Sequence, residues 1–179
     1  HDGLFGALTL MRSKKTIMLS PLTNVALAFV CLNPQRGNAV IADSPVATMK
    51  AIKNVAEIKG MKQAMLQDGV ALVKWIKWLQ EAVPQGNETE ISIDNKLTEL
   101  RKENADFCGL SFDTIAGYNA HGAIVHYEAT PDTDVPLKPE GILLVDTGAQ
   151  YTCGTTDITR TFLLGGTPTA EQKKVYTLV

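Results

Sequence analysis

The chain has 179 residues, 45% hydrophobic and 20% charged, with a net charge of −2. That balance suits one folded domain, or one domain and part of another, and offers no basic face to attract nucleic acid or anionic lipid. The longest wholly apolar run, Val25 to Leu32, is far too short to span a bilayer, so neither nucleic acid nor membrane is an expected partner.

The first forty or so residues have the pattern of the end of a separate domain. Lys15 to Leu19 is strand-like, Leu22 to Leu32 suits a short apolar helix after Ser20-Pro21, Asn33 to Gly37 is a loop, and Ala39 to Ala42 is a second short strand. Asp43-Ser-Pro-Val-Ala47 marks the crossing into a second domain, because the residue before a proline is pushed away from helix. The predicted division is 1–43 and 44–179.

Asn54, with Glu57 three residues on, caps a helix that runs to Ala82. Ile58, Met61, Met65, Leu72, Ile76 and Leu79 follow steps of three and four residues and are expected to face a core. Trp75 and Trp78 fall on overlapping faces and read as packing. Gly60 and Gly69 each cost about 1 kcal/mol of helix propensity relative to alanine, which is tolerable where close packing needs it. Pro84 to Asn87 is a turn. Thr89 or Ser92 opens a second helix with Ile93, Leu97 and Leu100 on one side, and its charged run Glu99 to Glu103 is expected to be a solvated face. From Phe107 the pattern becomes short extended segments separated by glycine, so the class is α+β.

Cys31, Cys108 and Cys153 are odd in number and lack CxxC or Cys/His zinc spacing, as expected of reduced thiols in an intracellular protein. Two aspartates, Asp146 and Asp157, stand eleven residues apart in a segment that reads as a β-hairpin: aliphatic from Ile142 to Tyr151, then Thr-, Ile- and Phe-rich from Thr155 to Leu164. If Asp146 faces Asp157 directly, the loop is the four residues Gln150 to Cys153. Carboxylates so opposed repel, and a divalent metal, or two sharing them, would neutralise both. A slipped register with two unrelated, solvated aspartates fits the spacing equally well.

Asp146-Thr-Gly-Ala-Gln-Tyr151 and Gly154-Thr-Thr-Asp-Ile-Thr-Arg-Thr-Phe162 closely resemble the metal-binding hairpin of aminopeptidase P, a pita-bread-fold metallopeptidase family. Gly122-Ala-Ile-Val-His-Tyr127 is similar to the segment carrying that family's active-site histidine, and Ala51 to Met61 to the helix opening its catalytic domain. The likeness runs from about Ser44 to Val179. It implies the first part of a pita-bread domain after the tail of a non-catalytic, creatinase-like domain.

The resemblance also implies a reaction: attack by a metal-bridging hydroxide on the carbonyl before a proline, releasing the first residue of peptides with proline second. It assigns Asp146 to one metal, Asp157 to both, and His126 to substrate contact and proton transfer. Two divalent ions are implied, Mn²⁺ favoured, with Co²⁺, Zn²⁺ or Mg²⁺ compatible with carboxylate donors. A homodimer in the cytoplasm is implied too. Thr159, two residues from Asp157 on the same strand face, is placed either to hydrogen-bond a ligating carboxylate or simply as a β-former. Arg160 points to the other face, and Cys153 is explained by a turn. No role attaches to His121.

The family completes its metal shell with one histidine and two glutamates later in the polypeptide. After Asp157 this chain has no histidine and only Glu171, which belongs to a helix start at Thr167-Pro-Thr-Ala-Glu-Gln172. The chain is therefore expected to be an internal fragment, inactive alone. The alternatives are a prolidase, which takes only dipeptides, and a non-catalytic peptide-binding relative.

Overall fold

Two short strands too far apart in sequence for a hairpin open the described part of the chain. In the computed structural model, which describes residues 3, 6, 7, 16–32 and 39–179, β1 (Ile17–Leu19) pairs in parallel with β2 (Ala39–Ile41). Parallel neighbours need a crossover, and α1 (Val25–Leu32) lies within it. The loop expected at Asn33 to Gly37, and the side chain of Cys31, lie outside the described residues. α2 (Pro45–Ala51) starts on its proline, where a missing N–H costs nothing, with Ser44 extended before it. By internal contacts the chain divides into two compact units, His1–Asn54 and Val55–Val179.

In the second unit, α3 (Val55–Ala82) buries Ala64, Asp68, Ala71, Leu72, Trp75, Leu79 and Ala82. That face differs from the expected stripe: Ile58, Met61 and Met65 are 45%, 37% and 43% exposed. An acid, Asp68, occupies the middle of the buried face, and small residues flank it because backbone approaches closely there. A Cβ on Gly60 would collide with the carbonyl oxygen of Cys153, whereas Gly69 has open space around it. Only the first of the two glycines serves packing.

After a 3₁₀ turn (Val83–Gln85) and Gly86 at φ 77°, α4 (Glu90–Lys102) begins at Thr89. The Thr89 side chain accepts from the Ser92 N–H, and Ser92 accepts from the Thr89 N–H. Ile93 and Leu97 join Leu72, Trp75, Leu79, Leu143, Val145 and Ile158 in the main core. The indole N–H of Trp75 donates to the Ile93 carbonyl at 2.8 Å. The run Glu99 to Glu103 is not wholly solvated, because Arg101 is fully buried. It continues the Ile93–Leu97 row at i+4 and meets Asp68.

Two three-stranded antiparallel sheets follow. One orders β4 (Ile115–Tyr118), β5 (Ile142–Thr147) and β8 (Ile158–Leu163); the other orders β3 (Phe107–Leu110), β6 (Ala149–Tyr151) and β7 (Gly154–Thr155). The chain passes between them at Gly148, where a Cβ would strike the Thr156 carbonyl and the Ser111 hydroxyl. The expected hairpin is present with another register. Asp146 pairs with Thr159, Thr147 with Ile158, Gln150 with Thr155 and Tyr151 with Gly154, so the turn is the two residues Thr152 and Cys153 rather than four. The short turn won because Gln150 and Tyr151 are taken up by β6, which pairs with β3 on its other side. α5 (Ala170–Leu178) starts at a Thr169–Gln172 capping box.

Candidate metal centre

β5 alternates strictly: Leu143, Val145 and Thr147 are buried, which turns Ile142, Leu144 and Asp146 to the open face. Asp146 is half-buried and accepts a hydrogen bond from the Thr159 hydroxyl at 2.7 Å. Continuing the register carries Asp157 opposite Gly148. Asp157 itself precedes β8; it is exposed between the buried Thr156 and Ile158, as Thr159 is on the other side of Ile158, so extending the alternation of β8 by one residue turns it to the face of Thr159 and Asp146, diagonal to Asp146. Diagonal positions are still neighbours, with separations of about 7–8 Å.

Asp157 is exposed, and no hydrogen bond or ion pair to it is formed by the described residues. Neither aspartate is paired with a lysine or arginine among the ion pairs of those residues. Two carboxylates with free lone pairs on one face, one of them steadied by a threonine, suit hard divalent cations. Among the described residues no group of three or more His, Cys, Asp or Glu side chains comes together to hold a metal. The pair therefore offers part of a shell. Glu171 is exposed on the first turn of α5.

His126 lies beyond the 3₁₀ turn Asn119–Ala123, exposed and at φ 55°, a conformation a histidine rarely adopts. What holds it there was not anticipated from sequence. Glu90, fully buried on the first turn of α4, accepts from the Tyr118 N–H at 2.7 Å and from the Tyr127 hydroxyl at 2.8 Å. Both of its oxygens lie 3.0 Å from Nδ1 of His121. Burial pushes the Tyr127 phenol above the usual tyrosine range; Glu90 adds to this and the Thr133 hydrogen bond opposes it. Tyr127 therefore stays neutral and keeps donating. One carboxylate thus ties down both sides of the segment that presents His126, through His121 and Tyr127.

A second unanticipated network lies behind the hairpin. Arg101 and Asp68, neither exposed at all, meet in a two-pronged ion pair, Nε–Oδ1 at 2.8 Å and Nη2–Oδ2 at 3.1 Å. Arg101 Nη1 donates to the Thr147 hydroxyl at 2.7 Å, and Asp68 Oδ2 accepts from the Thr156 hydroxyl at 2.5 Å. Tyr151 donates its hydroxyl to Asp68 Oδ1 at 3.1 Å. Burial first, then Asp68, pushes the Tyr151 phenol far up, so it too stays protonated. The solvated face expected for Glu99 to Glu103 missed Arg101; its spacing four residues behind Leu97 is the signal that points it at the core. Asp68 was legible as the one acid inside an otherwise small and apolar row.

On the open face beside Thr159, a groove of about 690 Å³ runs between β8 and α5, lined by Ile142, Thr159, Thr161, Gln172, Val175 and Tyr176. Cys108 and Cys153 are free thiols. Cys153 sits in the hairpin turn, its thiol beside Gln67 on α3. Among the described residues no helix is long and apolar enough to cross a membrane.

Residues 59–179 match the model of metallopeptidase family M24. A probable Xaa-Pro aminopeptidase P of Chaetomium globosum is 46% identical over 138 residues, 76% of this chain and 22% of that protein. Xaa-Pro aminopeptidase 1 of Dictyostelium discoideum is 41% identical over 169 residues, 92% of this chain and 26% of that protein. Among solved structures, the X-prolyl aminopeptidase of Caenorhabditis elegans, described as a cytosolic enzyme with a di-nuclear active site, superposes with a TM-score of 0.80 at 29% identity. It is matched over 93% of this chain and 28% of its own length. The chain thus spans about a quarter of the length of these three relatives, and its α+β architecture is that of part of the pita-bread catalytic fold.

Proposed function

The chain belongs to metallopeptidase family M24, and on that premise we propose that the protein, at its natural length, is an Xaa-Pro aminopeptidase. It removes the first residue of peptides with proline second. What supports this reading is Asp146 on β5 with the Thr159 hydroxyl donating to it, and Asp157 exposed just before β8 on the other arm of the hairpin. Residues 44–179 form part of the catalytic domain and 1–43 the end of a non-catalytic one. Manganese as the metal, a homodimeric assembly and a cytoplasmic location go with the same reading.

Asp146 and Asp157 would hold two divalent ions together with donors from elsewhere in the protein. When bound, these would supply Lewis-acid polarisation of the scissile carbonyl and an acidified water. The chain's own residues do the rest. Thr159 fixes one Asp146 oxygen and leaves the other free to ligate. His126 presents an imidazole to the substrate, where it donates a hydrogen bond or passes a proton. Among the described residues no third His, Cys, Asp or Glu joins the pair, and the 179 residues alone are expected not to turn over substrate.

The test is hydrolysis of Xaa-Pro-Yaa peptides and Xaa-Pro dipeptides by metal-stripped protein of natural length, with and without Mn²⁺. Metal-dependent release of the first residue from the longer peptide, lost in Asp157→Asn, supports the reading. Cleavage of dipeptides alone would make it a prolidase. Folded protein that binds metal and cleaves neither would make it a non-catalytic relative. Turnover by the isolated 179 residues would contradict the expectation that they are inactive alone.

A further inference from the structure

The two aspartates sit on different arms of the hairpin, and one buried ion pair grips both arms one residue away from them. Thr147 follows Asp146 and receives the Arg101 Nη1 hydrogen bond; Thr156 precedes Asp157 and donates to Asp68. Arg101 Nη1 also reaches the Gly148 carbonyl at 3.4 Å, and Thr156 accepts from the Ala149 N–H at 2.9 Å. The grip therefore spans the bend where the chain changes sheets. We propose that Asp68 and Arg101 are positioning residues for the metal centre, setting the separation and aim of Asp146 and Asp157 and so the protein's affinity for divalent cations. This rests on the metal-site reading given above and extends it to residues that touch no ligand.

The physical case has three parts. A buried ion pair is a weak source of stability, since well-packed apolar residues commonly replace it without loss. Here both ions are fully buried and every short hydrogen bond from the pair to a strand ends on the hairpin. Next, the hairpin needs the tether. β5 and β8 belong to one sheet and β6 and β7 to another, so the diagonal between Asp146 and Asp157 straddles a junction that strand pairing alone leaves free to twist. Finally, coordination tolerates little: ligand distances hold to within about 0.2 Å, and groups that orient ligands change metal affinity by about 10–100-fold.

The experiment uses natural-length, metal-stripped protein and reads Mn²⁺ binding by calorimetry, with thermal unfolding of the same samples. Asp68→Asn would strand a buried guanidinium and threaten the fold. The informative variants therefore remove one hydroxyl at a time: Thr156→Val, which also releases the Ala149 N–H, and Thr147→Val, which also releases the Thr114 hydroxyl, with Thr156→Ser restoring the hydroxyl. The expected result is a 10–100-fold weaker Mn²⁺ affinity in each valine variant, still cooperatively folded, with recovery in the serine variant. KM for peptide at saturating metal should hold. Valine variants that fold and bind Mn²⁺ within threefold of the parent, while Asp157→Asn loses binding, would overturn the positioning role alone. Retained Mn²⁺ binding in Asp157→Asn would overturn the metal-site reading and this inference with it.

Discussion

Thr159 stands directly across the sheet from Asp146 and donates its hydroxyl to Asp146 Oδ1 at 2.7 Å. The residue facing the first aspartate is thus a hydrogen-bond donor, and the second aspartate is diagonal to it. A directly opposed pair would set two like charges at the closest cross-strand distance. The diagonal lengthens that separation while keeping both groups on one face.

Thr159→Val keeps the shape and the β-branching but removes the donor. Asp146 loses its fixed orientation, and divalent-metal affinity is expected to fall by about 10–100-fold. Thr159→Ser should bind like the parent. Calorimetric titration of metal-stripped protein checks both; equal affinities for valine and threonine would leave Thr159 a simple β-former.

The two glycines of α3 should respond to alanine with opposite signs. At Gly60 the new methyl meets the Cys153 carbonyl, which is backbone and cannot swing aside. Overpacking of this kind costs about 1–3 kcal/mol. At Gly69 the space is open, and alanine gains about 0.4–1 kcal/mol through helix propensity and a less flexible unfolded chain. Urea unfolding of Gly60→Ala and Gly69→Ala measures the difference directly.

The sequence made some features plain and hid others for identifiable reasons. The helix starts at Thr89 or Ser92 and at Thr167 to Gln172 were readable because a hydroxyl before a helical run has one obvious use; the structure selects Thr89 and Thr169 as the caps. The hairpin arms were visible, yet their register was not: Gln150 and Tyr151 look like turn or strand equally well until β3 is there to pair with them. The second half of the α3 stripe holds, with Leu72 and Leu79 in the core and Ile76 packed against it, but its first half was misplaced because hydrophobicity marks Ile58, Met61 and Met65, while the face there is decided by a backbone approach at Gly60 that only small residues permit. Arg101 and Glu90 were hidden for the same reason as each other. A charged residue on a helix reads as solvated until a partner from a distant segment supplies its hydrogen bonds, Asp68 in one case and Tyr118, His121 and Tyr127 in the other.

Glu90→Gln preserves size but weakens three charge-assisted contacts at once, and one of its amide N–H groups would face a donor. A loss of about 2–3 kcal/mol in unfolding free energy is expected. In the natural-length protein the segment presenting His126 would loosen, lowering kcat/KM by up to about 100-fold. The discriminating measurement is a double-mutant cycle with His126→Asn. If Glu90 acts through His126, Glu90→Gln should add little to His126→Asn; full additivity would make Glu90 purely structural.

Asp94 supplies the clearest pH effect. Its Oδ1 is buried without a hydrogen-bond partner, and burial raises its carboxyl above the usual 3.8, against the lowering influence of the Thr114 hydrogen bond and Arg101. A raised carboxyl binds its proton more tightly folded than unfolded, so ionisation costs stability. That cost is fully present above the folded pKa and disappears as pH falls through it toward the unfolded value. Asp94→Asn removes the ionisation while keeping the shape, and the Thr114 and Arg101 interactions it weakens are the smaller influences. The variant should therefore be more stable than the parent at pH 7, by about 1 kcal/mol on the scale of one unpartnered buried acceptor. The advantage should shrink to nothing once the pH is well below 3.8. Subtracting the parent's unfolding curve from the variant's at each pH cancels every other carboxylate, so a gap that stays constant with pH would show that Asp94 titrates alike in both states.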